Sequence, residues 1–205
     1  AFLVAWQRGA FFTIEKPTSS DFVSFYAAGK LALAGTPALA YDQAAHYLAE
    51  QQARIPGAIY QFFFYPPVYL LLCVMLALLP YALSYALFEL STLALLLLGL
   101  RRILGEDRLG WLIPVLAFPA MFWNVGVGQN AYLTAALFTG FILCLDRRPL
   151  LAGLLLGLLC YKPHFGLLAP VALILGGHWR VFAAAAGPVT VMVGTTVLLF
   201  GMETW

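Results

Sequence analysis

The run from Ala82 to Leu100 holds one charged side chain, Glu89, and stops at Arg101-Arg102. A stretch this long and apolar can cross a hydrocarbon core of roughly 30 Å, where backbone polar groups must be satisfied inside the chain. Helix is the economical answer. Leu109 to Asn124, Ala131 to Leu145, Leu150 to Tyr161, Phe165 to Leu175 and Val181 to Phe200 continue the pattern. The expected fold is all-α, a polytopic integral membrane protein with about five to six membrane helices over residues 82–200. Composition agrees: 63% of residues are hydrophobic, 10% are charged and the mean hydropathy is +0.90. A soluble domain carries about 25% charge.

The net charge of +2 is small and its basic residues are scattered, which argues against a nucleic-acid partner. Cys73, Cys144 and Cys160 stand alone in apolar runs, without metal-ligand spacing, and read as small core residues. Ala1 to Ile14 reads as the tail of a first span; Arg8 in its middle and the missing charged start do not fit a cleavable leader. With no initiator Met, and with Met202-Glu203-Thr204-Trp205 directly after an apolar run, the chain is expected to be a fragment. It reads as a single membrane domain, 1–205, incomplete at both ends.

Residues 21–81 have another character. Phe22, Phe25, Tyr26, Gly29 and Leu33 recur at helical spacing behind Asp21, and Gly35-Thr36-Pro37 ends the segment. A second segment opens at Asp42, carries Ala44, Ala45 and Leu48, and closes at Pro56-Gly57. Both are expected as amphipathic helices on the membrane surface. Tyr60 to Tyr65 is an aromatic run suited to the headgroup level, closed by Pro66-Pro67. A helix from Pro66 to Pro80 would reach only about 22 Å, so it is expected to be re-entrant or interfacial.

Arginine orients the chain. Arg101, Arg102, Arg108, Arg147, Arg148 and Arg180 fall in loops that can share the cytoplasmic side. The 21–81 region, Gly126 to Asn130 and Lys162 to His164 then share the outer face. A carboxylate, Asp21, an amide pair, Gln129-Asn130, and a cation, Lys162 with His164, would converge there. Such a set could take a proton from an attacking hydroxyl and stabilise a departing phosphate.

Asp21-Phe22, Tyr26-Ala27-Ala28, Gly35-Thr36-Pro37, Tyr41-Asp42, Phe64-Tyr65-Pro66-Pro67, Gly128-Gln129-Asn130 and Lys162-Pro163-His164 occur in one order along the chain. In that ordered set the sequence resembles glycosyltransferase family 87, polyprenyl-phosphate-mannose-dependent mannosyltransferases of the GT-C superfamily. The resemblance implies a GT-C-like fold and an inverting transfer of a hexose, mannose, from a polyprenyl-phosphate sugar to a glycolipid or glycan hydroxyl. It implies Asp21 as general base; Lys162 and His164 are expected at the donor phosphate, and Tyr26, Tyr65, Gln129 and Asn130 at the substrates. It also implies a multi-pass protein of the inner (plasma) membrane with its active site on the extracytoplasmic face.

No Asp-x-Asp pair of the kind that holds a metal for a nucleotide sugar occurs, and a single-phosphate donor is expected to need neither metal nor cofactor. Plainer roles stay open. Asp21 fits a helix cap, Lys162 a snorkelling lysine, Gln129-Asn130 a helix junction and Glu89 a paired structural carboxylate. His46 and His178 read as interface residues. The rival class is transport, a transporter or flippase with a broken-helix site at Lys162-Pro163.

Overall fold

The computed structural model describes residues 20–53, 60–105 and 109–205. The expected first-span tail at 1–14, the stop at Pro56-Gly57 and the stretch 106–108 lie outside the described residues. Every described element is helical. Helix α1 (Ser20–Leu33) is followed by a 3-10 turn (Pro37–Tyr41) and α2 (Gln43–Ala53). A second 3-10 turn (Pro67–Tyr69) leads into α3 (Leu70–Ala77), then α4 (Tyr81–Leu104). A turn at Leu109–Trp111 precedes α5 (Leu112–Leu116) and α6 (Pro119–Val127). Helix α7 (Ala131–Cys144) comes next, and α8 (Pro149–Gly157) runs into a 3-10 turn (Leu158–Tyr161). Helices α9 (Phe165–Leu175) and α10 (Trp179–Phe200) follow, with a last turn at Met202–Thr204.

Among the described residues two helices, α4 and α10, are long and apolar enough to cross a membrane. They extend about 36 and about 33 Å at 1.5 Å per residue. Leu87, Leu90 and Leu98 on α4, and Val191, Leu198 and Leu199 on α10, are exposed. Bare leucine over that length is a liability in water and ordinary against lipid tails. The chain is therefore membrane-associated.

The span expected over Leu109 to Asn124 is interrupted. Phe118 is extended, with φ −65° and ψ 128°, and Pro119 opens α6. Proline lacks an N–H and pushes its predecessor out of helical geometry, so α5 ends before it.

The described residues fall into two compact units, one drawn from Ala1–Phe63, Leu72–Glu89 and Arg108–Ala131, the other from Phe64–Leu71, Leu90–Asp107 and Tyr132–Trp205. In the first, the Phe22 to Ala28 stretch of α1 is buried on every side rather than along one stripe, while Leu33 is exposed. An all-round apolar helix belongs in a core. Gly29 makes this possible, because a Cβ there would lie 2.0 Å from the carbonyl oxygen of Cys73 on α3. Asp42 caps α2, its Oδ1 accepting the Ala45 N–H at 2.8 Å.

On α2, Leu48 is exposed and Ala44 faces out, while His46 and Glu50 are buried. Both buried residues have polar partners: His46 Nε2 lies 3.1 Å from the Ser24 carbonyl, and Glu50 Oε2 accepts the Gln61 N–H at 3.1 Å. A buried polar group is tolerated when it is bonded.

In the second unit α8 and α10 pack backbone against backbone. A Cβ on Gly153 would meet Ala184 Cβ at 2.5 Å, and one on Gly157 would meet the Ala185 carbonyl at 2.5 Å. This is the small-xxx-small spacing that lets membrane helices approach closely. Gly157→Leu should lower the thermal midpoint in detergent by an amount matching about 1–3 kcal/mol of overpacking. Gly187→Ala, where a Cβ would meet nothing within 4 Å, is the control that should not lower it.

His46 yields a second expectation. Burial holds its imidazole below histidine's ordinary range, against the opposing pull of the Ser24 carbonyl, with Glu50 Oε1 facing Nδ1 at 3.8 Å. The unfolded chain takes up the proton near pH 6.5 and the folded chain resists it. Stability is therefore full above about pH 6.5 and declines as pH falls below it. Thermal melts across that range should show the decline, and His46→Gln should flatten it.

Candidate functional site

Asp21 sits in the first turn of α1, half-buried, where the helix N-terminus favours a carboxylate. Gln129 reaches it from the α6–α7 connection, Nε2 donating to Asp21 Oδ2 at 2.6 Å. The other end of the same amide is used as well: Gln129 Oε1 accepts the Asn130 N–H at 2.8 Å. The amide is thereby oriented with its donor end on the acid. Charge-assisted bonds of this kind are short and strong.

The connection that carries Gln129 is shaped by Gly128. Its φ of 69° is left-handed, and it sits so close to α1 that a Cβ would lie 2.5 Å from Phe22 Cβ. Only glycine meets both demands without strain. Asn130 is fully buried. Tyr26 is 5% exposed, its hydroxyl donated to the Leu79 carbonyl at 2.8 Å and its ring set edge-on to Tyr81. The structure thus places Tyr26 in the core of its unit.

Tyr65, Lys162 and His164 belong to the second unit. Tyr65 stacks on Tyr69 with ring centroids 4.3 Å apart, and Tyr69 stacks on Tyr161 at 5.0 Å. Tyr161 is held by a 2.8 Å hydrogen bond with the Thr134 hydroxyl. Lys162, in the connection between the 158–161 turn and α9, puts Nζ 5.9 Å from the Tyr161 ring centroid. Burial pulls its ammonium down from lysine's ordinary range. His164 is exposed, its ring against Phe165.

Beside this group is an apolar cavity of about 450 Å³, lined among others by Pro66, Leu159, Pro163, Ala169, Val189 and Trp205. That size suits a small-molecule portion rather than solvent alone. Among the described residues no group of His, Cys, Asp and Glu could hold a metal ion.

The structure therefore joins Asp21 with Gln129 and Asn130 in one unit, and Tyr65 with Lys162 through Tyr69 and Tyr161 in the other. Asn124, whose side chain meets Glu89, and Tyr69 and Tyr161 are not among the residues expected at the site from sequence. Asn124 carried a signal: an amide at the end of an apolar run is a polar group that must find a partner in the protein.

A model of glycosyltransferase family 87 matches residues 63–205. The chain belongs to glycosyltransferase family 87. It is an enzyme that transfers a sugar from a donor to an acceptor, which answers the question between catalysis and transport. No curated protein and no solved structure matches. The matched part of this family 87 chain includes Tyr65, Gln129, Asn130, Lys162 and His164, and begins after Asp21 and Tyr26.

Gly128→Ala tests the connection. The left-handed conformation alone costs a residue with a Cβ about 1–2 kcal/mol. The contact with Phe22 adds to that. The variant should melt at lower temperature than the parent and lose sugar transfer more steeply than it loses folded protein, as measured by activity per folded molecule.

Proposed function

We propose that this glycosyltransferase moves a hexose, mannose, from a polyprenyl-phosphate sugar to a glycolipid or glycan hydroxyl by a single inverting displacement. Asp21 takes the proton of the acceptor hydroxyl. The acceptor oxygen attacks the anomeric carbon, the bond from that carbon to the phosphate oxygen breaks, and polyprenyl phosphate leaves with the electron pair. Lys162, with His164, meets the charge that develops on the phosphate. Tyr65, Gln129 and Asn130 contact the substrates or hold the groups that do.

The observation that carries this reading is Asp21 held by the Gln129 amide within a family of sugar transferases. A general base must be fixed within reach of the proton it abstracts, and a carboxylate gripped through one oxygen is so fixed. Lys162 adjoins Pro163 in the wall of an apolar cavity, which supports a donor with a charged head and a hydrocarbon tail. The bilayer and the two substrates are then the partners. The arginine pattern of the loops favours a multi-pass arrangement in the plasma membrane, with the reaction on the extracytoplasmic side.

The test uses the full-length protein in membranes with radiolabelled polyprenyl-phosphate-mannose and glycolipid acceptors. Asp21→Asn keeps the shape and removes the base, so turnover should fall by about 10²–10⁴ while donor binding survives. Parent-like turnover in that variant would take Asp21 out of the mechanism. Lys162→Met should weaken donor affinity by about 10- to 100-fold, the worth of one hydrogen bond to a charged group. An unchanged donor response would reject the phosphate role.

A further inference from the structure

Glu89 lies within a helix long and apolar enough to span a membrane and is only 5% exposed. A carboxylate in that setting is expensive and marks a specific task. Its partner is Asn124 of α6, 3% exposed, which donates Nδ2 to Glu89 Oε2 at 3.0 Å. The side-chain oxygen and the backbone carbonyl of Asn124 both go to the connection carrying Gln129. Its Oδ1 accepts the Ala131 N–H at 3.1 Å, and its backbone carbonyl accepts the Gly128 N–H at 2.8 Å and the Gln129 N–H at 3.1 Å. One turn before Glu89, Tyr85 donates its hydroxyl to the carbonyl of Val125. Helix α4 thus grips the 124–131 segment at two points, and that segment presents Gln129 to Asp21.

We propose that Glu89, Asn124 and Tyr85 are positioning residues for the Asp21–Gln129 pair. The inference rests on Asp21 being the base. Glu89 fixes the Asn124 amide, Asn124 fixes the backbone from Gly128 to Ala131, and that backbone sets where the Gln129 Nε2–H points. The carboxylate of α1 is thereby held at one angle to an acceptor hydroxyl. No proton passes along this route; the effect is geometric. Small misplacements of reacting groups cost far more rate than binding, so the loss should fall on kcat and spare the donor KM. A pairing that merely fastens α4 to α6 would instead lower the amount of folded protein and leave the turnover of each folded molecule intact.

The experiment exchanges the two polar groups in the full-length protein in membranes, with radiolabelled polyprenyl-phosphate-mannose as donor, a total glycolipid extract as acceptor and activity expressed per folded molecule. Asn124→Asp keeps the acceptor for Ala131 and removes the N–H donor to Glu89 Oε2; its kcat should fall about 10- to 100-fold, with donor KM changed by less than about 3-fold. Adding Glu89→Gln to it restores a donor-to-carboxylate bond with the direction reversed and should recover kcat to within about 3-fold of the parent. Tyr85→Phe, which removes only a hydroxyl, covers the case in which Asn124→Asp does not fold. Its kcat should fall about 3- to 10-fold at constant KM. Asp21→Asn is assayed alongside. If it retains parent turnover, the base reading fails and the positioning proposal falls with it. If it is inactive while folded Asn124→Asp and Tyr85→Phe turn over like the parent, or the double exchange gives no recovery, the positioning proposal alone is overturned.

Discussion

A polar side chain in a chain this apolar must find its partner inside the protein. An unmet buried donor or acceptor costs about 1–3 kcal/mol. The helices are held in their positions by this demand as much as by packing. Asn124 meets Glu89 across 35 residues, Thr134 meets Tyr161 across 27, and Gln129 meets Asp21 across 108. Each contact ties two helices, or a helix and a connection, at one register. Apolar contact alone would let them slide, since leucine packs on leucine nearly as well one turn along.

Packing then takes over where side chains vanish. Gly29 lets α1 lie on the backbone of α3, Gly153 and Gly157 let α8 lie on α10, and Gly128 lets a connection lie on Phe22. In lipid no hydrophobic force drives helices together, so close backbone approach supplies much of the association. Among the described residues only α4 and α10 are long and apolar enough to reach across about 30 Å. At the breaks before Pro119 and Pro163 local turns take up the backbone groups, Phe118 N–H on the Val115 carbonyl and Lys162 N–H on the Leu159 carbonyl.

Elements governed by their own residues were legible in the sequence. Asp42 was expected to open a helix, and its carboxylate caps α2; Arg101-Arg102 were expected to end a span, and α4 runs to Leu104. What depended on distant partners was not. His46 read as an interface residue, yet it and Glu50 are buried on α2, where Ser24 and Gln61 offer them bonds. The Leu109 to Asn124 run looked continuous because hydropathy does not register what Pro119 does to Phe118. Of the site, the polar residues themselves could be singled out, since each interrupts an apolar run. That Gln129 touches Asp21, and that Asn124 stands behind Gln129, depends on Gly128 lying against Phe22, a contact between residues 106 positions apart that no local pattern announces.

The chemistry proposed for the chain asks for different surroundings for its two ends, and the two units differ in the required sense. A base must stay charged and hold a fixed direction, which calls for a short hydrogen bond from a neutral donor; an amide oriented at both ends is that donor. A leaving phosphate needs a cation next to apolar walls, because a low-dielectric setting strengthens the attraction between them. Lys162 is half-buried beside the Tyr161 ring and adjoins an apolar cavity, so its charge is poorly hydrated before any donor arrives. An anionic headgroup relieves that cost on binding and is itself stabilised as its charge grows. In the proposed reaction Asp21 gains from being held still, and Lys162 gains from its apolar surroundings.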